Sequence, residues 1–331
     1  MEKRKVVVIG GGTGTHTVLK GLKKFKNLLD ISAIVTMADS GGSTGRLRDE
    51  FGYLPVGDVR MALTALAQDT YTHEELLREL FLYRFDKGKG LSGHNFGNLL
   101  LVALTDILGS EEKAIRATSE LLRVQGKVLP VTNEKVHLVA EYDDGSKTVG
   151  EHEIDDVAVG QESRRIIKLS VTPEAKINDS AKQAILGADL VVLGPGDLYT
   201  SVLANCVVGG VVEALRATSA KLAYVSNLMT RFGQTDGMTV AEHVEVLAEY
   251  IGCYPNVVLV NSMELPGDLA KRYAGDKEYP VELGNITGKF KLIQKDLLAR
   301  EEVETVKGDT LRRSLIRHDS DKLAKEIINL V

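Results

Sequence analysis

The 331-residue chain carries 41 Lys and Arg against 46 Asp and Glu, a formal net charge of −5, with 44% hydrophobic and 26% charged residues. That make-up is ordinary for a globular protein and allows one large domain or two. The acidic balance excludes a basic nucleic-acid footprint and a polybasic patch for anionic membranes. The two cysteines, Cys206 and Cys253, have no metal-ligand spacing and form no disulfide framework, so each is expected to be a buried thiol in a reducing compartment.

In chain order, residues 6–9 are a continuous apolar run, the pattern of a strand buried on both faces of a parallel sheet. The run is too short for a signal peptide or membrane span and ends in glycines, so a cytoplasmic location without membrane insertion is expected. Val18, Leu19, Leu22 and Phe25 then recur at helical spacing, and residues 31–37 read as a second strand. Residues 38–57 read as a long polar loop, a length usually functional or disordered. Helical patterns cover 58–68, 73–84, 95–108 and 111–123. Residues 127–170 alternate like hairpins around the turn Asp143-Asp144-Gly145. Strands at 190–193, 222–225 and 257–260 alternate with helices at 178–186, 207–215 and 239–251, the last opened by a Thr239/Glu242 capping box. An amphipathic helix, 319–330, closes the pattern. The expected architecture is α/β, Rossmann-like, with a mostly parallel sheet, helices on both faces and a small β-rich insertion. Its segments are 1–125, 126–177 and 178–331.

Four glycine-rich or polar loops follow four expected parallel strands, and the carboxyl ends of such strands share one edge where ligands bind. The first offers Gly11, Gly12, Thr13, Gly14 and Thr15 at a helix N-terminus, where bare amides and the dipole favour a phosphate. A ligand-free strand-to-helix turn is the plainer reading. Thr15 stands where a dinucleotide fingerprint needs its third glycine, and no Gly-Lys-Ser/Thr P-loop is present, so nicotinamide redox chemistry is the weakest reading.

The second loop holds Asp39, Ser40, Gly41, Gly42, Ser43 and Arg46, a set suited to phosphate or sugar hydroxyls. Asp39 with Asp58 is the candidate Mg²⁺ pair, Asp58 being equally readable as a helix N-cap. No other cofactor is called for. His94, Asn95 and Asn98 sit at a glycine-flanked helix start, where Asn95 also reads as a cap. The third loop supplies Gly194, Pro195, Gly196, Asp197, Thr200 and Ser201; the fourth supplies Asn227, Thr230 and Arg231. Arg317-His318-Asp319 is a charged cluster that either closes the crevice or caps the last helix. No nucleophile elbow, zinc-protease motif or cysteine dyad is present.

The run Val8-Ile9-Gly10-Gly11-Gly12-Thr13-Gly14, the block from Asp39 through Arg48 to Gly52, and Pro55-Val56-Gly57-Asp58-Val59-Arg60 resemble the YvcK family, the so-called gluconeogenesis factors. Gly93-His94-Asn95-Phe96-Gly97-Asn98-Leu99, residues 194–201 and Asn227-Leu228-Met229-Thr230 extend the resemblance along essentially the whole chain. The wider superfamily includes 2-phospho-L-lactate transferase. The resemblance implies a Rossmann-like fold, UDP-sugar binding (UDP-N-acetylglucosamine, for example) and a regulatory role between carbon metabolism, cell-wall synthesis and cell shape. It makes Arg317 a candidate UDP-sugar contact. Ser40 stands where relatives commonly have a second acid, which leaves Asp39 and Asp58 as the metal pair. The alternative is a Mg²⁺-dependent transferase moving a phosphate-linked group from a nucleotide-activated donor. A homo-oligomer is expected on general grounds.

Overall fold

A computed structural model describes residues 2–68, 72–157, 164–300 and 314–331. Strand β1 (Arg4–Gly10) is followed by helix α1 (Gly12–Leu22), β2 (Leu29–Val35), α2 (Gly42–Phe51), α3 (Gly57–Leu66), α4 (Thr72–Leu82), α5 (Phe96–Leu108) and α6 (Glu111–Leu121). Next come β3 (Lys127–Pro130), β4 (His137–Tyr142), β5 (Lys147–Val149), α7 (Glu151–Asp155), β6 (Ile166–Thr172) and α8 (Asp179–Leu186). After β7 (Leu190–Leu193) a π-helical stretch, Leu198–Leu203, runs into α9 (Ala204–Cys206) and α10 (Val211–Ala217). Then come β8 (Lys221–Val225), α11 (Val240–Ile251), β9 (Val257–Asn261), α12 (Gly267–Gly275), β10 (Lys291–Lys295) and α13 (Ser320–Ile328).

Seven strands form one parallel sheet in the order β10-β9-β8-β7-β1-β2-β3, and three form an antiparallel sheet, β5-β4-β6. The central strands β1 and β7 are buried almost throughout, as their unbroken valine, isoleucine and leucine runs require. The β4–β5 hairpin turns at Asp144-Gly145, with Gly145 N–H donating to Tyr142 O.

Several expectations are corrected. Residues 38–57 are not one loop: α2 occupies Gly42–Phe51, hidden in the sequence because Leu47 and Phe51 are its only large apolar residues. Residues 127–130 belong to the main sheet as β3, paired with β2, so the antiparallel sheet starts only at His137. The helix expected over 207–215 is broken at Gly209-Gly210, where Gly210 has φ 93°. Of the two thiols Cys206 is buried, with its pKa pushed up to about 12 by burial, but Cys253 is half-exposed at the surface. No helix among the described residues is long and apolar enough to cross a membrane.

The helix starts follow the side chains present. Asn95 caps α5 by accepting from Gly97 and Asn98 N–H, Asn178 caps α8, and Asp319 caps α13. Thr239 and Glu242 make the reciprocal capping box of α11. Helix α13 packs against α1, with Ser320 O lying over Gly21, so the last described segment backs the first helix.

Candidate functional site at the sheet switch point

Strand order reverses between β1 and β7, and the crevice outside their carboxyl ends is where an open α/β sheet binds ligands. The turns after those strands touch through their backbones. A Cβ on Gly14 would stand 2.2 Å from Pro195 O, and one on Gly196 would stand 3.6 Å from Gly11 O. Only glycine permits this approach at Gly14, because the obstacle is main chain. The first turn of α1 thereby faces the crevice with its unpaired amides.

Two polar atoms behind this wall have no partner within the described residues. Thr15 Oγ1 is buried and lies against Gly10, and Asn205 Oδ1 is buried while its Nδ2 donates to Gly10 O (3.2 Å) and Ser201 O (2.8 Å). Asn205 was not singled out in the sequence; it lies past the expected loop, inside a helix. Thr200 is buried in the Leu198–Leu203 stretch, and Ser201 packs under Gly196.

Asp58 does not cap its own helix. Its Oδ1 accepts from Gly12 N–H at 2.8 Å, so α3 delivers a carboxylate to the start of α1. Asp39 Oδ1 accepts from Gly41 N–H at 2.9 Å, and a Cβ on Gly57 would stand 2.3 Å from Asp39 Oδ2. The starts of α1, α2 and α3 therefore crowd together around two carboxylates.

A third carboxylate comes from the insertion. Glu151, at the start of α7, accepts weakly from Ser40 N–H (3.4 Å), while Ser40 Oγ accepts from His152 N–H (2.9 Å). Burial first, then the neighbouring Asp39, Asp155 and Asp58 carboxylates, hold the Glu151 pKa well above the usual range. Sequence reading missed Glu151 because its role depends on the insertion folding back over the sheet edge. Among the described residues, no three His, Cys, Asp or Glu side chains stand in a metal-ligating arrangement.

On the far side of α2, Ser43 Oγ lies 3.1 Å from His94 Nδ1 and accepts from Asn95 N–H and Asn98 Nδ2, both at 3.3 Å. The serine's own proton then points to His94, which is left neutral: burial, then the Arg46 cation, lowers its pKa. Arg46 itself donates to Ser92 O. Asn98 Oδ1 also accepts from Arg60 Nε at 2.8 Å. His94, Asn95 and Asn98 thus form one buried network with Ser43, joined to the site through α2.

The fourth loop is bound into the protein. Arg231 donates to Asp155 Oδ2 at 2.6 Å and to Glu278 Oε1 at 3.2 Å, and Gln234 Nε2 donates to Asp155 Oδ1. Burial alone would lower the Arg231 pKa; Asp155, Asp197 and Glu278 outweigh it and raise it. Thr230 exchanges bonds with Tyr279, and Gly233 lies against Val157. Asn227 instead lines a cavity of about 330 Å³ between the ends of β8 and β9, with Asn261, Leu265 and Val281. A larger cavity of about 470 Å³ lies away from the switch point, against β3 and α6.

Arg317 is brought to α1 by the α13 packing. Burial first, then Lys20, Arg78, Arg317 and Arg60, lower the pKa of His16 in the first turns of α1 to about 3. His318 is buried, with its pKa lowered to about 4 by burial. Of the residues expected at a site, the structure gathers those of the first three loops and Asp58, places Arg317 near α1, and ties Thr230 and Arg231 into the insertion's contacts.

Comparison with known proteins agrees with this arrangement. The gluconeogenesis factor of Bacillus subtilis is 39% identical, covering 100% of this chain and 99% of its own length. That of Halalkalibacterium halodurans is 40% identical, covering 90% of this chain and 93% of its own. The crystal structure of a UPF0052 family protein from Bacillus halodurans is 36% identical and covers 99% of both chains with a TM-score of 0.88. Residues 6–309 match the family model described as 2-phospho-L-lactate transferase CofD, and the chain belongs to that family.

Proposed function

We propose that the protein is a nucleotide-sugar-binding regulator, taking a UDP-sugar such as UDP-N-acetylglucosamine and linking carbon metabolism to cell-wall synthesis and cell shape. The observation that carries this reading is the backbone wall at the switch point. Gly11 to Thr15 and Gly194 to Gly196 meet there without side chains between them, leaving the α1 amides for a diphosphate. The orphaned Thr15 hydroxyl beneath gives that diphosphate a further donor. The cavity beside Asn227 offers amide groups and apolar walls of the kind that hold a base or sugar. The named gluconeogenesis factors among the relatives support the regulatory role.

Calorimetric titration with UDP-N-acetylglucosamine tests the reading. Saturable one-site heat is expected, and Thr15→Val weakens it about tenfold, the loss of one hydrogen bond to a charged group. Absence of heat with folded wild-type protein sinks the reading.

A second reading is favoured by the carboxylates Asp39, Asp58 and Glu151 beside the phosphate turn: a Mg²⁺-dependent transferase of a phosphate-linked group. Mg²⁺ needs only one or two carboxylates plus ligand phosphates, and a cation there relieves the repulsion that keeps Glu151 protonated. Asp39 and Asp58 would hold the ion, which would neutralise charge on the transferred group. Nucleotide binding that ignores both Mg²⁺ and Asp58→Asn removes this reading's support.

A further inference from the structure

Helix α5 is built inside out. Its buried side carries Gly97, Asn98, Leu101, Val102 and Thr105, with Asn98 and Thr105 among the inward groups. Its outward side carries Phe96, Leu99, Leu100, Ala103 and Ile107, all apolar, with Ile107 75% exposed. Asp106 is the charged residue on that side, and it accepts a 2.8 Å bond from Tyr53 Oη. A helix apolar all round belongs where every side is covered. This one is covered on one side only.

Helix α4 extends the same surface. Leu76 is 62% and Leu80 41% exposed, one turn apart, and Tyr83 follows at 48%. The two helices are pressed together at Gly97, where a Cβ would stand 2.5 Å from Phe81 O. At 11 and 13 residues they make a face about 20 Å long and about 20 Å wide. That is far more than the single exposed apolar residues normal on a monomer.

Charge identifies the occupant. Glu75 and Glu79 flank the leucines towards the start of α4, while Lys87 and Lys89 stand on the exposed turn beyond its end. The face is therefore acidic at one end and basic at the other. Such a surface is complementary to itself after a two-fold rotation, which lays the acidic end of one copy on the basic end of the next.

We propose that the α4–α5 face is the interface between two copies of this chain, paired about a two-fold axis as a four-helix contact. The proposal stands independently of what the crevice binds. Sedimentation of the full chain over a dilution series tests it. A dimer is expected, with Ile107→Glu and Leu80→Glu each weakening it at least about tenfold while the thermal midpoint and circular dichroism stay unchanged. Glu79→Lys and Lys89→Glu each weaken the dimer, and together they restore it. Ile167→Glu, at a residue 60% exposed on the antiparallel sheet, leaves it intact. A monomer at every concentration, or a dimer indifferent to the α4–α5 substitutions, overturns the proposal.

Discussion

The two ends of the crevice are made by opposite means. At the switch point, the turns after β1 and β7 meet as bare main chain, and the polar groups nearby keep unused bonding capacity. Three strands' width away, the loop after β8 is tied down by side chains: Arg231 lies between Asp155 and Glu278, and Gln234 shares Asp155. One end is left open for a ligand; the other uses up its charges on the protein itself. A rich polar composition in the sequence therefore says little about which loop binds, because the same residue types serve both ends.

The largest expected effect lies at the closed end. Arg231→Met leaves Asp155 and the buried Glu278 without their cation, and removal of one partner from such a pair costs about 3–5 kcal/mol. Urea unfolding measures it. If the loop is structural, nucleotide affinity measured below the unfolding transition stays within a factor of about two. A larger loss of affinity, with stability unchanged, would make the two ends alike.

A smaller effect is expected at the open end. Gly14→Ala drives a methyl group into Pro195 O, and overpacking of this kind costs about 1–3 kcal/mol. Here the order of effects reverses: affinity for the nucleotide falls more steeply than stability, since the turn that moves is the one that binds.

The smallest effect sharpens the boundary between the ends, where α7 reaches from Asp155 to Ser40. Folded Glu151 keeps its proton to higher pH than it does in the unfolded chain. Its contribution to stability therefore falls as pH rises from the unfolded carboxyl range through the raised folded pKa. Glu151→Gln removes that slope and raises the melting temperature above pH 7 by about 1–2 °C. Melting scans across pH check this; an unchanged slope would show that the carboxylates around Glu151 do not repel it.

The sequence showed most clearly what is buried on both faces. Strands β1, β7, β8 and β9 stand where their apolar runs said, and the capping residues Asn95, Asn178, Thr239 and Asp319 start helices as expected. Helix α2 was illegible because Gly42, Gly45 and its charged residues give it almost no apolar stripe. Strand β10 was illegible because Lys291 and Lys295 bracket a half-exposed edge strand. Within the site, the phosphate turn could be read because its glycines are adjacent in sequence. Glu151 and Asn205 could not, since each reaches the crevice only through tertiary packing.

The packing of α13 on α1 has a consequence for how the protein is made. The glycine turn belongs to the first residues to leave the ribosome, yet α1 lacks one of its supporting helices until residues 320–328 have been added. Arg317 joins the positive surroundings of His16 only at that stage. The binding turn is thus among the first parts synthesised and among the last completed. A nascent chain carries the phosphate motif long before it has the wall that holds it.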